Sequence, residues 1–185
     1  MEGITIMLND IKEVLISEEE LKATVKELAA QVNRDYAGKN VLLVSILKGA
    51  VVFMADFMRE LDLKCEIEFM VVSSYGSGVR TSGNVKIIKD LDVPIEGRDV
   101  IIVEDILDSG VTLSNLLKML EERHPASMEI CTLLDKPARR QAEVYAKYIG
   151  RQIPDAFVVG YGLDYDEKYR NLPFVGILKP EVYSE

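Results

Sequence analysis

The sequence predicts an α/β fold, a mostly parallel twisted sheet flanked by helices. Strand-like and helix-like runs alternate along the chain, the pattern of strands joined by helical crossovers. Val100 to Val103 is four aliphatic residues in a row, as a central strand buried on both faces requires. The 185 residues contain no internal repeat, low-complexity stretch or linker, which fits one domain with a core of its own.

The first helix starts at Ile16-Ser17-Glu18-Glu19-Glu20-Leu21, where Ser17 can cap, Glu20 can reach back to it and Ile16 can pack on Leu21. Leu21, Val25, Leu28 and Val32 keep helical spacing until Gly38 supplies a stop. Val41 to Leu47 reads as a buried strand, followed by Lys48-Gly49 and a helical run carrying Val52, Phe57 and Leu61. Cys65 to Ser73 is the next strand, and Val85 to Lys89 a short one. Between them Ser74 to Gly83 is too polar and glycine-rich for a core element and reads as a mobile loop. After Val100 to Val103, Leu113, Leu116, Leu117 and Leu120 mark a helix. Glu129 to Leu134, Phe157 to Gly160 and Phe174 to Leu178 supply the remaining strands.

The chain carries 22 basic and 31 acidic residues, a net charge of −9, which argues against nucleic acid as a partner because phosphate-backbone binding shows as a basic surplus. Its longest apolar run, Ala50 to Ala55, is six residues, far short of the ~20 a membrane span needs. The amino terminus does not read as a secretory signal. Cys65 and Cys131 read as two buried, reduced thiols of a cytoplasmic protein, and His124, before Pro125 at a helix end, is given no catalytic role.

The chemistry concentrates in Val100-Ile-Ile-Val-Glu104-Asp105-Ile-Leu-Asp108-Ser109-Gly110-Val111-Thr112. A buried strand runs out into two adjacent carboxylates, and a loop of Asp, Ser, Gly and Thr leads into a helix. Ligands of open α/β sheets bind beyond the carboxyl ends of strands. Backbone N–H groups, two hydroxyls and a helix N-terminus favour a phosphate. The loop is neither G-x-x-x-x-G-K-[ST] nor G-x-G-x-x-G. Two acids beside a phosphate make sense when a sugar diol lies between them, since carboxylates accept hydrogen bonds from both hydroxyls. The stretch therefore reads as a ribose-5-phosphate cradle, or more plainly as a helix cap preceded by exposed acids.

Val-Glu-Asp-Ile-Leu-Asp-Ser-Gly-Val-Thr resembles the phosphoribosyl-pyrophosphate signature of the type I phosphoribosyltransferases. Ser45-Ile-Leu47-Lys48-Gly49, Ser74-Tyr75-Gly76, Leu134-Asp-Lys136-Pro137 and the run Phe157 to Leu172 narrow the resemblance to the 6-oxopurine branch, the hypoxanthine-guanine phosphoribosyltransferases. The motifs lie in family order from about Ser45 to Leu178. The resemblance implies a small hood subdomain, built from the N-terminal and C-terminal segments, on a core at about 40–160 of the single domain 1–185. It implies a purine-salvage transferase that makes a nucleoside monophosphate and pyrophosphate from a 6-oxopurine and phosphoribosyl pyrophosphate, in dimers or tetramers with part of the Lys48 loop near the contact.

The same resemblance assigns roles. Glu104 and Asp105 hold the ribose diol; Asp108, Ser109, Gly110, Val111 and Thr112 form the 5′-phosphate site. Asp108 also faces the imidazole edge of the purine, where it can accept a ring N–H proton. Leu47-Lys48-Gly49 is the pyrophosphate loop, with a cis peptide that does not involve proline, and Arg170 reaches the same pyrophosphate. Ser74 and Tyr75 close over it as part of a lid that keeps water from the reacting sugar. Lys136, a donor-only group, pairs with the 6-oxo oxygen and cannot satisfy a 6-amino group. Phe157 stacks on the base and Val158 reads its edge with backbone groups. Asp164, near the purine, meets Mg²⁺ together with Glu104 and Asp105. A regulator that senses nucleotides while controlling transcription or RNA is the rival reading. It is opposed by the acidic balance, by the lack of a helix-turn-helix or basic appendage, and by the joint presence of Lys48, Asp108, Lys136 and Asp164.

Overall fold

The computed structural model of the chain describes residues 7–74 and 85–184. Two sheets organise it. Six strands form the larger one: β2 (Val41–Ile46), β3 (Cys65–Ser74), β4 (Val85–Lys89), β5 (Asp99–Leu107), β6 (Ser127–Asp135) and β7 (Tyr148–Gln152). Their order is β4-β3-β2-β5-β6-β7, with every pairing parallel except β3 with the edge strand β4. The smaller sheet is antiparallel, in the order β1-β9-β8, and joins the two ends of the chain through β1 (Ile11–Ile16), β8 (Val158–Val159) and β9 (Val175–Leu178).

Both faces of the larger sheet are covered, which is why its middle strands read as unbroken aliphatic runs. Val41 and Leu43 of β2 and Ile101 and Val103 of β5 point to one face. They pack against helix α1 (Glu18–Asp35), through Leu21, Val25, Leu28 and Val32, and against α2 (Val51–Glu60), through Phe53, Met54 and Phe57. The alternate residues Leu42, Val44, Val100 and Ile102 point to the other face, against Leu113, Leu116 and Leu120 of α3 (Val111–Glu121). Each of these four aliphatics in β5 is fully buried, and burial of such a side chain stabilises by about 1.5–3 kcal/mol. Helix α1 opens with the capping box read from the sequence: the Glu20 amide donates to Ser17 Oγ (3.2 Å) and the Ser17 amide to Glu20 Oε2 (2.8 Å).

The structure corrects four sequence expectations. β5 does not end at Val103; its backbone stays paired with β6 through Glu104, Ile106 and Leu107, because ladder hydrogen bonds do not depend on the side chains being apolar. Strands β1 and β7 carry no clear apolar pattern. β1 buries only its two end residues, and β7 is an edge strand with Gly150 at its centre, where a Cβ would stand 2.4 Å from the Leu133 carbonyl oxygen. The C-terminal turn of helix α4 (Pro180–Tyr183) is likewise additional. Cys131 is a buried free thiol, but Cys65 is only half-buried, since it opens β3 beside the loop from α2. Residues 75–84, with Tyr75 and most of the expected lid, lie outside the described residues, while Ser74 ends β3.

Candidate active site

The carboxyl ends of β2, β5 and β6 open on the same side of the sheet, and the segments that follow them meet there. Asp108 to Gly110 link β5 to α3. Gly110 is the residue before the helix and takes φ +76°, a left-handed conformation that glycine adopts without steric cost. Gly110 has no side chain to cap the helix, and the one side-chain contact to the first turn is a long one, from the Val111 amide to Ser109 Oγ at 3.5 Å. Glu104, Ile106, Asp108, Ser109, Gly110 and Thr112 line a cavity of about 190 Å³ at that helix end. The back of the loop is fixed by Arg140, which donates to the carbonyls of Leu107 (3.2 Å), Asp108 (3.0 Å) and Val144 (2.8 Å) and pairs with the buried Asp135.

Asp108 and Ile106 also line a second cavity, of about 140 Å³, with Lys136, Arg139, Phe157, Val158 and Leu163. Lys136 follows β6 and is buried, 4% exposed, with its ammonium 2.9 Å from the Ala156 carbonyl oxygen and 3.8 Å from Asp108 Oδ2. One lysine N–H thus has a protein partner, and the ammonium has two further donors for a ligand. Asp108 Oδ1 is buried without a hydrogen bond, 3.6 Å from Arg139 Nε. Phe157 is 37% exposed; Tyr183 stacks on its ring at 4.8 Å between centroids and Tyr165 meets it edge-on at 5.6 Å. Neither tyrosine lines the cavity, so they back the phenylalanine from outside.

The third group of residues surrounds the turn after β2. The Leu47–Lys48 peptide is cis, as the resemblance implies. A Cβ on Gly49 would stand 1.8 Å from Asp105 Oδ2, so only glycine lets this turn and the carboxylate share the space. From the other side comes the segment between β8 and β9. Arg170 donates to the Gly162 carbonyl (2.7 Å) and pairs with Asp164 (2.9 Å), and Asp164 Oδ2 accepts from the Glu167 amide (3.0 Å). Arg170 Nε is buried without a partner. Glu167 holds both cations of the area, Lys48 at 2.9 Å and Arg170 at 3.4 Å.

Glu104 and Asp105 sit half-buried between these groups. Burial and the neighbouring Asp105 charge push Glu104 well above the usual carboxylate range. Burial pushes Asp105 up to about 6, against the pull of the Ile106 amide at 2.7 Å; Arg170 lowers it and Asp164 raises it. Two crowded carboxylates of raised pKa form a place where a cation or a pair of hydroxyls relieves repulsion. The three acids expected at a metal do not make a ready cage, however. Among the described residues no group of three or more His, Cys, Asp or Glu side chains is arranged to hold a metal ion, because Asp164 is engaged by Arg170 and the Glu167 amide.

The structure thus brings Glu104, Asp108 to Gly110 and Thr112 to one cavity and Asp108, Lys136, Phe157 and Val158 to its neighbour, and sets Gly49 against Asp105 and Asp164 against Arg170 beside them. Sequence reasoning missed Leu163, Arg139, Arg140 and Glu167. Leu163 and Glu167 flank Asp164 within the run already singled out, whereas the two arginines follow Lys136 in a segment that reads as loop.

A model of the phosphoribosyl transferase domain matches residues 13–166. The hypoxanthine-guanine phosphoribosyltransferase of Staphylococcus aureus (strain Mu50) is 55% identical over 178 residues, 96% of this chain and 99% of that protein. The bifunctional protein TilS/HprT of Listeria monocytogenes (serotype 4b, strain F2365) is 55% identical over 183 residues; the match takes in 99% of this chain but spans only 28% of that protein. A crystal structure of a hypoxanthine phosphoribosyltransferase from Staphylococcus aureus superposes with a TM-score of 0.95 at 54% identity, covering 97% of this chain and 98% of the other. The sheet order, the loop at the start of α3 and these likenesses lead to one conclusion: the chain belongs to the phosphoribosyltransferase family, in its hypoxanthine-guanine branch.

Proposed function

We propose that this chain transfers the phosphoribosyl group of phosphoribosyl pyrophosphate to hypoxanthine or guanine, giving the nucleoside monophosphate and pyrophosphate. What carries the reading is the meeting of Asp108 and Lys136 in a cavity that continues, through Asp108 itself, into the loop at the start of α3. A base, a sugar and a phosphate in line fit that path.

The amides of Ser109 to Thr112 and the hydroxyls of Ser109 and Thr112 bind the 5′-phosphate, and the α3 dipole favours its charge. Glu104 and Asp105 accept hydrogen bonds from the ribose hydroxyls. Lys136 donates to the 6-oxo oxygen, Phe157 stacks on the ring and the Val158 backbone reads its edge. Lys48, Gly49 and Arg170, with Ser74 and Tyr75, hold the pyrophosphate. In the reaction the bond from the anomeric carbon to a pyrophosphate oxygen breaks and a bond to a ring nitrogen forms. The ring N–H proton passes to Asp108, whose unbonded Oδ1 is free to take it. The remainder of the acceleration comes from position and from cations beside the departing polyanion.

Mg²⁺ suits the donor set, since it binds one or two carboxylates and completes its shell with water and substrate oxygens rather than with an all-protein cage. Glu104, Asp105 and Asp164 are the residues that would hold it, and it supplies charge neutralisation for the phosphates. The chain works as the single domain 1–185, its core at about 40–160, with the three-stranded sheet of the chain ends as its hood. It acts in the cytoplasm as a homodimer or homotetramer, with small molecules as its partners; no helix among the described residues is long and apolar enough to cross a membrane.

The test is an assay with hypoxanthine, guanine, xanthine and adenine, each with phosphoribosyl pyrophosphate, with and without Mg²⁺. Inosine monophosphate forms from hypoxanthine, adenine gives no product, and chelation of the metal stops turnover. Absence of product with every 6-oxopurine ends the reading.

A further inference from the structure

Two elements far apart in sequence flank the pyrophosphate position proposed above: the Lys48–Gly49 turn, which leads into α2, and the 160–172 segment, which carries Asp164 and Arg170. Three successive residues of that segment, Gly160, Tyr161 and Gly162, have φ values of +98°, +51° and +101°. Two are glycines. The third is a tyrosine, for which the left-handed region is uncommon and must be held by its surroundings.

The surroundings are specific. The Tyr161 amide donates to the Leu172 carbonyl (2.8 Å) and the Gly162 amide to the Arg170 carbonyl (3.0 Å). A Cβ on Gly162 would come within 2.1 Å of the Gly49 carbonyl oxygen, so the two segments touch backbone to backbone. Between them the Tyr161 side chain, 7% exposed, reaches α2 and donates its hydroxyl to Asp56 Oδ2 at 2.6 Å. Burial and the Asp56 carboxylate push the phenol well above its ordinary range, so it stays protonated and donates. The other Asp56 oxygen accepts from Arg59, which fixes the carboxylate on the helix. Nothing in the proposed chemistry uses this pair, and Tyr161 lines a groove between α1 and α2.

We propose that Tyr161 and Asp56 are positioning residues, a strut that sets the spacing between the Lys48–Gly49 turn and the Asp164–Arg170 segment and so the width of the pyrophosphate site. This inference rests on the functional reading above. The strut acts on the polyanion end of the site and leaves the purine end, built on Lys136, Phe157 and Val158, untouched.

The test compares Tyr161→Phe, Asp56→Asn and the double variant with the unaltered chain, measuring kcat, KM for each substrate and thermal midpoint. Turnover by the unaltered chain checks the functional reading by itself. The strut requires Tyr161→Phe to raise KM for phosphoribosyl pyrophosphate roughly three- to tenfold, within the range for an ordinary hydrogen bond, while KM for hypoxanthine stays within about twofold. The double variant should be no worse than Tyr161→Phe alone, since that change removes the bond that Asp56→Asn only weakens. Should Tyr161→Phe fail to fold, Asp56→Asn, which keeps the shape and an acceptor oxygen, carries the same comparison. A lowered thermal midpoint with both KM values unchanged overturns the proposal, as does an equal rise in both or a multiplicative effect in the double variant.

Discussion

The stretch from Glu104 to Thr112 and the stretch from Phe157 to Arg170 contribute about equally to the candidate site, yet they are built in opposite ways. The first is local. One strand, one turn and one helix start place two acids, an aspartate and a row of amides within nine consecutive residues, and the buried β5 and α3 on either side fix their geometry. The second is assembled from a distance. Its left-handed turn is held by Asp56, its Glu167 pairs with Lys48 as well as with Arg170, and Phe157 is backed by Tyr183. A site half written in one segment and half in long-range contacts should fail differently when each half is altered.

The largest effect is expected in the local half. Asp108→Asn removes the proton acceptor while keeping the shape, and kcat should fall at least about tenfold, in the usual range for an acid–base group. Near-normal turnover would take Asp108 out of the mechanism and remove the contrast between the halves. Gly49→Ala comes next. Its new Cβ would overlap Asp105 Oδ2, so the turn or the carboxylate must move, and KM for phosphoribosyl pyrophosphate should rise by roughly an order of magnitude or more. An unchanged KM would mean that the turn and the acid do not share one ligand.

Asp105 makes a prediction about pH. Its folded pKa lies near 6, above the ordinary value of 3.8, so its contribution to folding is favourable below about 4 and is lost as pH rises through 6. Asp105→Asn should therefore raise the thermal midpoint of the ligand-free protein by a few degrees at pH 7.5, and the gain should vanish near pH 4. It should also weaken sugar-phosphate binding, the mark of a residue kept for function at a cost in stability. A gain that is the same at both pH values would place its cause elsewhere.

The smallest effect belongs to the distant half. Glu167 pairs with Lys48 and Arg170 on an exposed surface, where such pairs are worth roughly 0–1 kcal/mol. Glu167→Gln should free Lys48, loosen Arg170, which keeps Asp164, and lower KM for phosphoribosyl pyrophosphate about twofold or threefold, with kcat little changed. An increase would show that Glu167 orients the cations for the ligand rather than occupying them.

The contrast also explains what could be read from the sequence. The local half was legible because Val100 to Val103 announces a strand, Gly110 a turn and Leu113 to Leu120 a helix, and the resemblance then gave each polar residue between them a role. The extension of β5 through Glu104 and Asp105 was hidden, since two acids look like the end of a buried strand although the ladder with β6 continues. β7 was hidden by Gly150, which is needed there because the Leu133 carbonyl leaves no room for a side chain. β1 was hidden because only Ile11 and Ile16 are buried. In the distant half, Asp164 and Arg170 could be named from their motif. The grip of Arg140 on the Leu107 and Asp108 carbonyls, the Tyr161–Asp56 bond and the sharing of Glu167 by two cations could not, because each joins segments whose proximity only the fold decides.

The most direct measurement is a crystal structure of the protein soaked with inosine monophosphate. The account predicts the phosphate on the amides of Ser109 to Thr112, the ribose hydroxyls on Glu104 and Asp105, and the 6-oxo oxygen on Lys136 with the ring against Phe157. A nucleotide bound in any other place, with that loop empty, would contradict it.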